Sequence, residues 1–275
     1  MPTVSEELDR LTQTFTIDRM YCDALFRCKS APLVAELLVS HLWSNSALPL
    51  CYKALVAEVP RRFTSQHSEQ ASLWNLVLFD SASRDLRLIP YFVLRGLGPE
   101  ASGALRRAFE HAAVLAHIWA SPEKVEVLSS TDRENYKRAF IWDRTPKRFA
   151  ALKMPEVARS LYSSLSKLDV HGGTGNRFFS YAADASSFRC KFTYRIEPGS
   201  ERLRQQVSLL ANGHRSINAE LLAICADYAK ASEELGAAAQ AFKIFESPAG
   251  EPSPELQAQI NDLYRKLGMQ RGAPA

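Results

Sequence analysis

The feature that most constrains this chain is a regular 4-3-4-3 spacing of thirteen positions that begins at Leu203 and ends at Phe245. Twelve of these positions are apolar or aromatic, and His214 is the exception. A repeat of about 3.5 residues keeps one stripe of a helix facing a partner, as in helical bundles and coiled coils. The spacing therefore predicts a long helix over 203–245 and a mostly helical protein. The thirteen positions are Leu203, Val207, Leu210, His214, Ile217, Leu221, Ile224, Tyr228, Ala231, Leu235, Ala238, Phe242 and Phe245.

Composition permits several functions and excludes few. Hydrophobic residues make up 46% of the 275 residues and charged residues 23%, which is ordinary for a globular protein that buries a full core. A net charge of +4 permits an anionic partner without requiring one. The five cysteines include no C-x-x-C pair, which favours a reducing compartment over a disulfide framework or a zinc site.

The N-terminal sequence, the early apolar stretch and the spacing of the histidines bear on the compartment and on membrane or metal binding. The N-terminus lacks the basic region and apolar run of a signal peptide. The most apolar early stretch, 33–43, contains Glu36 and His41 and is too short to span a bilayer. The histidines are dispersed, without the spacing that predicts a metal site on a helix. We therefore expect a cytoplasmic protein with no membrane partner, no metal and no cofactor.

Helix-capping residues and prolines divide the chain into predicted helices. Proline removes a backbone donor and clashes with the preceding turn. We therefore expect Pro49 to interrupt a helix, Pro60 to end one, and Pro90 to kink or break one. Gly96 and Gly98 are expected to close the helix that precedes them. The predicted helices cover about 3–15, 30–45, 50–59, 68–94, 99–120, 131–142, 155–171 and 253–267.

Residues 188–196 depart from the helical pattern. Aromatic and β-branched residues alternate there with polar ones, which predicts a β-strand, and 177–182 can supply its partner. The resulting hairpin, at about 177–196, should lie on the bundle because an isolated hairpin is marginal in water. Its basic residues either contact a nucleic acid or protect an exposed edge strand from aggregation. They are Arg177, Arg189, Lys191 and Arg195.

The predicted fold class is all-α, a multi-helix bundle with one long heptad-patterned helix and a small β-hairpin insertion. Residues 1–98 are expected to form an N-terminal helical region that packs on the bundle. Residues 99–246 form the helical core with the hairpin, and 247–275 form a linker and a C-terminal helix.

The predicted helix over 99–120 carries a polar stripe opposite its apolar face. Arg106, Glu110 and His117 group on that side. Arg106 and Glu110 are four residues apart and can form an ion pair. The stripe is either a polar site inside the bundle or a structural ion pair beside a surface histidine.

The predicted helix over 155–171 has a similar layout. Tyr162, Ser166 and Asp169 follow one stripe, and His171 stands at the helix end before two glycines. A helix C-terminus favours the protonated form of a histidine, which suits His171 to contact an anion. The alternative is that His171 caps the helix and does nothing more.

These two helices resemble parts of a known family. Residues 161–172, LYSSLSKLDVHG, are similar to the helix end of HEPN-like proteins, and residues 105–110, LRRAFE, are similar to an earlier helix of that family. HEPN-like proteins are helical bundles of bacterial toxin and defence systems, and many are metal-independent ribonucleases. The similarity covers about 99–245. Active members carry an arginine shortly before the histidine, whereas the nearest arginine before His171 is Arg159.

The resemblance implies an RNA-directed protein with a defined set of site residues. In it, His171 is the acid/base or phosphate contact, and Arg106 and Arg107 stabilise phosphate charge. Glu110 orients an arginine, while Tyr162 and Asp169 support the site.

The sequence is also compatible with two other classes of function. One is a non-catalytic interaction protein that forms a homodimer through the 203–245 helix. The other is a small-molecule pocket lined by the polar stripes. His214, inside the apolar stripe, is expected to be a core histidine or a residue that fixes the register of packing, rather than a ligand.

Overall fold

The protein is described by a computed structural model that covers most of its N-terminal half and parts of its C-terminal half. The residues it describes are 19–63, 69–130, 132, 134–135, 160, 162–165, 180–184, 189–193, 198–225, 254, 258 and 261.

Most of the described residues are helical, so the predicted mostly helical class is confirmed. Within them, no helix combines the length and the apolar character that crossing a membrane requires. A single 3-10 turn, Pro122–Lys124, precedes the short helix α5. The helices are α1 (Arg19–Phe26), α2 (Ala31–Phe63), α3 (Glu69–Leu94), α4 (Gly98–Ala120), α5 (Val125–Ser129) and α6 (Glu201–Ile224).

Among the described residues, four long helices form a bundle. Helix α2 packs against α3 and α6, and α4 also packs against α3 and α6, so the four surround one core. Two contacts between α2 and α6, Ser40 with His214 and Cys51 with Cys225, both join residues 174 apart. A constant offset means that α2 and α6 run parallel. The helices before and after position 98 therefore share one hydrophobic core.

Helix α2 corrects the prediction that Pro49 interrupts and Pro60 stops a helix, because it runs unbroken through both. Pro49 deprives the Asn45 carbonyl of its helical partner. Pro49 is exposed and Asn45 is only partly buried, so water can bond that carbonyl. Tight packing of the flanking turns, at Leu48 and Cys51, offsets the remaining cost.

Helix α3 likewise continues through Pro90, which is buried. Here the carbonyl that loses its partner belongs to Leu86, four residues earlier. That carbonyl lies close enough to the His214 ring to favour its protonated form. A buried side chain from α6 thus lies near the carbonyl that the proline deprives of its helical partner.

The turn after α3 ends as the glycines predict. Gly96 has a φ of 72°, and a Cβ there would lie 2.7 Å from the Tyr21 ring. The amide of Leu97 bonds the Phe92 carbonyl at 2.8 Å, in the pattern of a glycine-terminated helix. This tight turn places α4 antiparallel beside α3.

Helix α6 contains the first part of the heptad stripe. Ser200 caps it by accepting a hydrogen bond from the Leu203 amide at 3.2 Å. The seven stripe positions from 203 to 224 are all buried inside the same chain. They leave no exposed seam in this part for a second chain. The continuation over 226–245 lies outside the described residues, so the long helix and a dimer through it stay predictions.

Two five-residue strands accompany the helices, β1 (Ser180–Asp184) and β2 (Arg189–Thr193). They pair antiparallel, with Ser180 opposite Thr193 and Asp184 opposite Arg189. The hairpin as an insertion folded onto the bundle, and its role as a nucleic-acid surface, stay predictions.

Candidate functional site

The hydroxyl of Tyr162 connects the two helices whose polar stripes the sequence singles out. Arg106 Nη2 donates to the Tyr162 hydroxyl at 2.9 Å, and that hydroxyl donates to Glu110 Oε1 at 3.2 Å. Arg106 Nε donates to the same Glu110 oxygen at 3.2 Å. The two hydrogen bonds of Tyr162 join residues that are 52 and 56 positions apart in the sequence. We call Arg106, Glu110 and Tyr162 the tyrosine bridge.

Helix geometry positions the members of this bridge. Arg106 and Glu110 are one turn apart on α4, so both point to the same side. Tyr162 lies in the helical residues 162–165, with Leu165 buried in the core beside it. The centroids of the Tyr162 and Phe109 rings lie 6.3 Å apart. The Arg106 guanidinium carbon lies 5.0 Å from the centroid of the Tyr162 ring.

The bridge is charged and only partly shielded from water. The Arg106 side chain is 13% exposed and that of Glu110 is 33% exposed. The guanidinium, the carboxylate and the phenol satisfy one another, so the cluster holds opposite charges at a half-buried edge without an isolated ion. Such a site can bind an anion if the anion displaces Glu110 from Arg106.

Arg107 has a different partner from Arg106, and the expectation that both arginines stabilise phosphate charge stays a prediction. Arg107 Nη2 donates to Asp85 Oδ1 on α3 at 2.9 Å, and Arg107 Nε contacts both oxygens of that carboxylate. Adjacent residues of a helix point about 100° apart. Arg107 therefore faces α3, whereas Arg106 faces Tyr162.

His111 completes this second cluster on α4. Its Nδ1 lies 3.8 Å from Asp85 Oδ2, which is too long for a hydrogen bond. Burial lowers the pKa of His111, and the charges of Asp85 and Glu110 act in the opposite direction. The cluster is best explained as an ion pair that holds α3 to α4, with a neutral histidine beside it.

Several predicted site residues cannot be placed relative to the bridge. His171, Asp169, Arg177 and Arg195 lie outside the residues that the structure describes. Arg189 and Lys191 belong to β2, where only the backbone is described. Their predicted roles stay predictions. His117, which the sequence groups with Arg106 and Glu110, is partly buried on α4.

A buried polar cluster between α2 and α6 was not predicted as a unit. The Ser40 hydroxyl donates to His214 Nδ1 at 2.8 Å, and Asn218 Nδ2 lies 3.1 Å from the same nitrogen. Asn218 Nδ2 also reaches Ser40 Oγ at 3.4 Å. All three residues are 0% exposed. We call Ser40, His214 and Asn218 the histidine core.

The environment of the histidine core keeps His214 neutral. Burial is the largest cause that lowers the pKa of His214, to about 3, and the nearby His41 lowers it further. The Leu86 carbonyl acts in the opposite direction. Because Nδ1 accepts two hydrogen bonds, the ring proton belongs on Nε2. Nε2 has no bond of ordinary geometry among the described residues.

Neither cluster has the donor set of a metal centre. Across the parts of the chain with known placement, no group of three or more His, Cys, Asp or Glu side chains could hold a metal ion. Comparison with known proteins adds no assignment, because no protein-family model, curated protein or solved structure matches this chain. The site must therefore be interpreted from its own chemistry.

Proposed function

We propose that this protein is a HEPN-like RNA-directed protein that binds a single-stranded RNA and cleaves it without a metal ion. The observation that carries the proposal is the tyrosine bridge, which joins the Arg-Glu helix to the helix bearing Tyr162. These are the two helices that carry the family resemblance. Their polar sides meet, as a shared site requires.

In this proposal the bridge contacts the RNA backbone. An incoming phosphate competes with Glu110 for the Arg106 guanidinium, which has the donor geometry for bidentate phosphate binding. Tyr162 remains as a second donor once Glu110 turns away, and its ring offers a surface on which a base can stack. The net charge of +4 favours such a polyanion.

His171 is the proposed proton acceptor. The predicted helix places it nine residues after Tyr162, about 13 Å farther along the axis. Arg106 and His171 would therefore contact different phosphates of one strand. The proposed roles are binding by Arg106 and Tyr162, and proton transfer from the ribose 2′-hydroxyl by His171.

Binding is tested by fluorescence anisotropy with a labelled single-stranded RNA in EDTA at fixed salt, because salt strongly changes such affinities. Arg106→Gln should weaken binding about tenfold. Arg107→Gln is the matched control, because it removes the same charge from the adjacent residue, which faces Asp85 instead. Equal losses in the two variants would mean that only net charge matters and would contradict a site at the bridge.

Cleavage is tested on the same RNA by gel electrophoresis in EDTA. His171→Ala should abolish cleavage and leave the anisotropy signal nearly unchanged, since it removes a proton acceptor and not the main phosphate contact. Cleavage that EDTA stops, or that survives in His171→Ala, would contradict the proposed mechanism. Circular dichroism melting confirms that each variant is folded.

The alternative is a non-catalytic helical interaction protein, and one observation favours it. Arg106, Glu110 and Tyr162 already satisfy one another, as structural networks do. In that case the protein binds no RNA, and light scattering detects a homodimer. Leu235→Glu, in the predicted continuation of the stripe, should then convert the dimer into a monomer.

A further inference from the structure

Two buried cysteines meet where α6 ends. Cys225 follows the last residue of α6, and Cys51 lies within α2. The Cys225 thiol donates to the Cys51 carbonyl oxygen at 3.7 Å, and both residues are 0% exposed. Hydrogen bonding with the Cys51 thiol, followed by burial, raises the pKa of Cys225. The two residues are therefore neighbours inside the core, and the Cys225 thiol is protonated at neutral pH.

The position of Cys225 allows its sulfur to move toward Cys51. Cys225 is the C-cap residue of α6, so it lies just beyond the last helical residue of that element. A disulfide requires the two sulfurs to approach to about 2.05 Å. Rotation about the Cα–Cβ bonds can supply that movement. Two other described cysteines have different surroundings: Cys22 bonds the Leu94 carbonyl at 3.4 Å, and Cys28 bonds the Leu25 carbonyl of its own helix at 2.9 Å.

We propose that Cys51 and Cys225 form an intramolecular disulfide when the protein is exposed to hydrogen peroxide. The peroxide first oxidises one thiol to a sulfenic acid and releases water. The sulfur of the other cysteine then attacks the sulfenic sulfur, the S–S bond forms, and a second water leaves. The two sulfurs lose two electrons in total, and the peroxide is reduced to water.

Burial determines which thiol reacts with the sulfenic acid and how fast the disulfide forms. Larger thiols in solution cannot reach a sulfenic acid in the core, so the neighbouring cysteine is the available nucleophile. Protonated thiols react slowly with peroxide, so the bond forms slowly at neutral pH and faster in mildly alkaline buffer. Once formed, the bond ties the end of α6 to α2 and constrains the unfolded chain over a long loop.

The test treats the full-length protein with peroxide, blocks remaining thiols under denaturing conditions, and maps peptides by mass spectrometry without reduction. We expect a peptide pair joined at Cys51 and Cys225, lighter by about 2 Da than the two reduced peptides. The oxidised protein should unfold roughly 5 °C higher than the reduced protein. Reduction should restore the masses of the two separate peptides and the unfolding temperature of the reduced protein.

Three variants serve as controls. Cys51→Ser and Cys225→Ser should each abolish the joined peptide, whereas Cys28→Ser should leave it unchanged because its thiol bonds its own helix. If the buried variants fail to fold, the wild-type peptide map still decides the question. Oxidation of Cys28 without a joined 51–225 peptide, or other cysteine pairings in equal amount, would overturn the proposal.

Discussion

The tyrosine bridge and the histidine core are both polar clusters between helices, and they differ in charge and exposure. The bridge holds an arginine and a glutamate at a half-buried edge. The core holds an uncharged histidine, a serine and an asparagine with no exposed surface. A buried uncharged network fixes how helices pack, because each unpaired member is costly. A half-buried charged network costs less to rearrange, so a ligand can compete for it.

If this contrast is correct, the core should matter far more for stability than the bridge. His214→Ala removes a buried ring and leaves Ser40 and Asn218 without their shared acceptor. We expect the free energy of unfolding to fall by about 3 kcal/mol, from the cavity and the unpaired groups together. Urea denaturation of the variant and of the wild type measures this loss. A change below about 0.5 kcal/mol, the range of ordinary surface substitutions, would contradict the larger contribution of the histidine core to stability.

The second prediction concerns acid. The pKa of His214 is lowered to about 3 in the folded protein, from the 6.5 of an ordinary histidine. The unfolded state therefore binds the proton first as the pH falls. The contribution of neutral His214 is fully present above pH 6.5 and is lost between pH 6.5 and about 3. At pH 5 the loss should be on the order of 2 kcal/mol.

Carboxylates elsewhere in a protein also take up protons as the pH falls, and they change its stability as well. The informative quantity is therefore the difference between wild type and His214→Gln in urea denaturation at pH 7 and pH 5. The variant should lose less stability than the wild type on acidification. Parallel losses in the two proteins would show that His214 does not stay neutral in the fold.

The two clusters also differ in how far they could be predicted from sequence. Helical spacing places Arg106 and Glu110 on one side of α4, and the stripe of the later helix singles out Tyr162. The hydrogen bonds show that these three side chains meet, while their role in a functional site stays a prediction. Spacing cannot choose the partner of Arg107, because Asp85 comes from another helix and is identified only by packing.

The histidine core shows how two irregular positions of the sequence are accommodated in the fold. Pro90 predicts a kink or a break in a helix, and His214 is the polar position of the apolar stripe, expected to be a core histidine or a residue that fixes register. In the fold, α3 continues through Pro90, and the buried His214 ring lies near the carbonyl that Pro90 deprives of its helical partner. A contact between α3 and α6, more than a hundred residues apart, has no local signal in the sequence.

The third prediction separates stability from binding at the bridge. Tyr162→Phe keeps the ring beside Phe109 and removes the hydroxyl that joins Arg106 to Glu110. Because the group is partly exposed, we expect a loss of only about 1 kcal/mol in urea denaturation. RNA affinity should fall several-fold in the anisotropy assay. A stability loss equal to that of His214→Ala would show that the bridge is a core element and not an adaptable site.

The smallest expected effect tests the link between Pro90 and His214. Pro90→Ala restores a backbone amide that can bond the Leu86 carbonyl within α3, and so takes that carbonyl from His214. In the wild type, the stability gained from the restored helical hydrogen bond is partly offset because His214 loses its interaction with the Leu86 carbonyl. In His214→Ala there is no such interaction to lose. Pro90→Ala should therefore stabilise the His214→Ala protein more than the wild type, by about 0.5 kcal/mol. A double-mutant cycle in urea measures that difference. Additive effects would mean that the Leu86 carbonyl and the histidine ring do not interact, and that α3 tolerates its proline through packing alone.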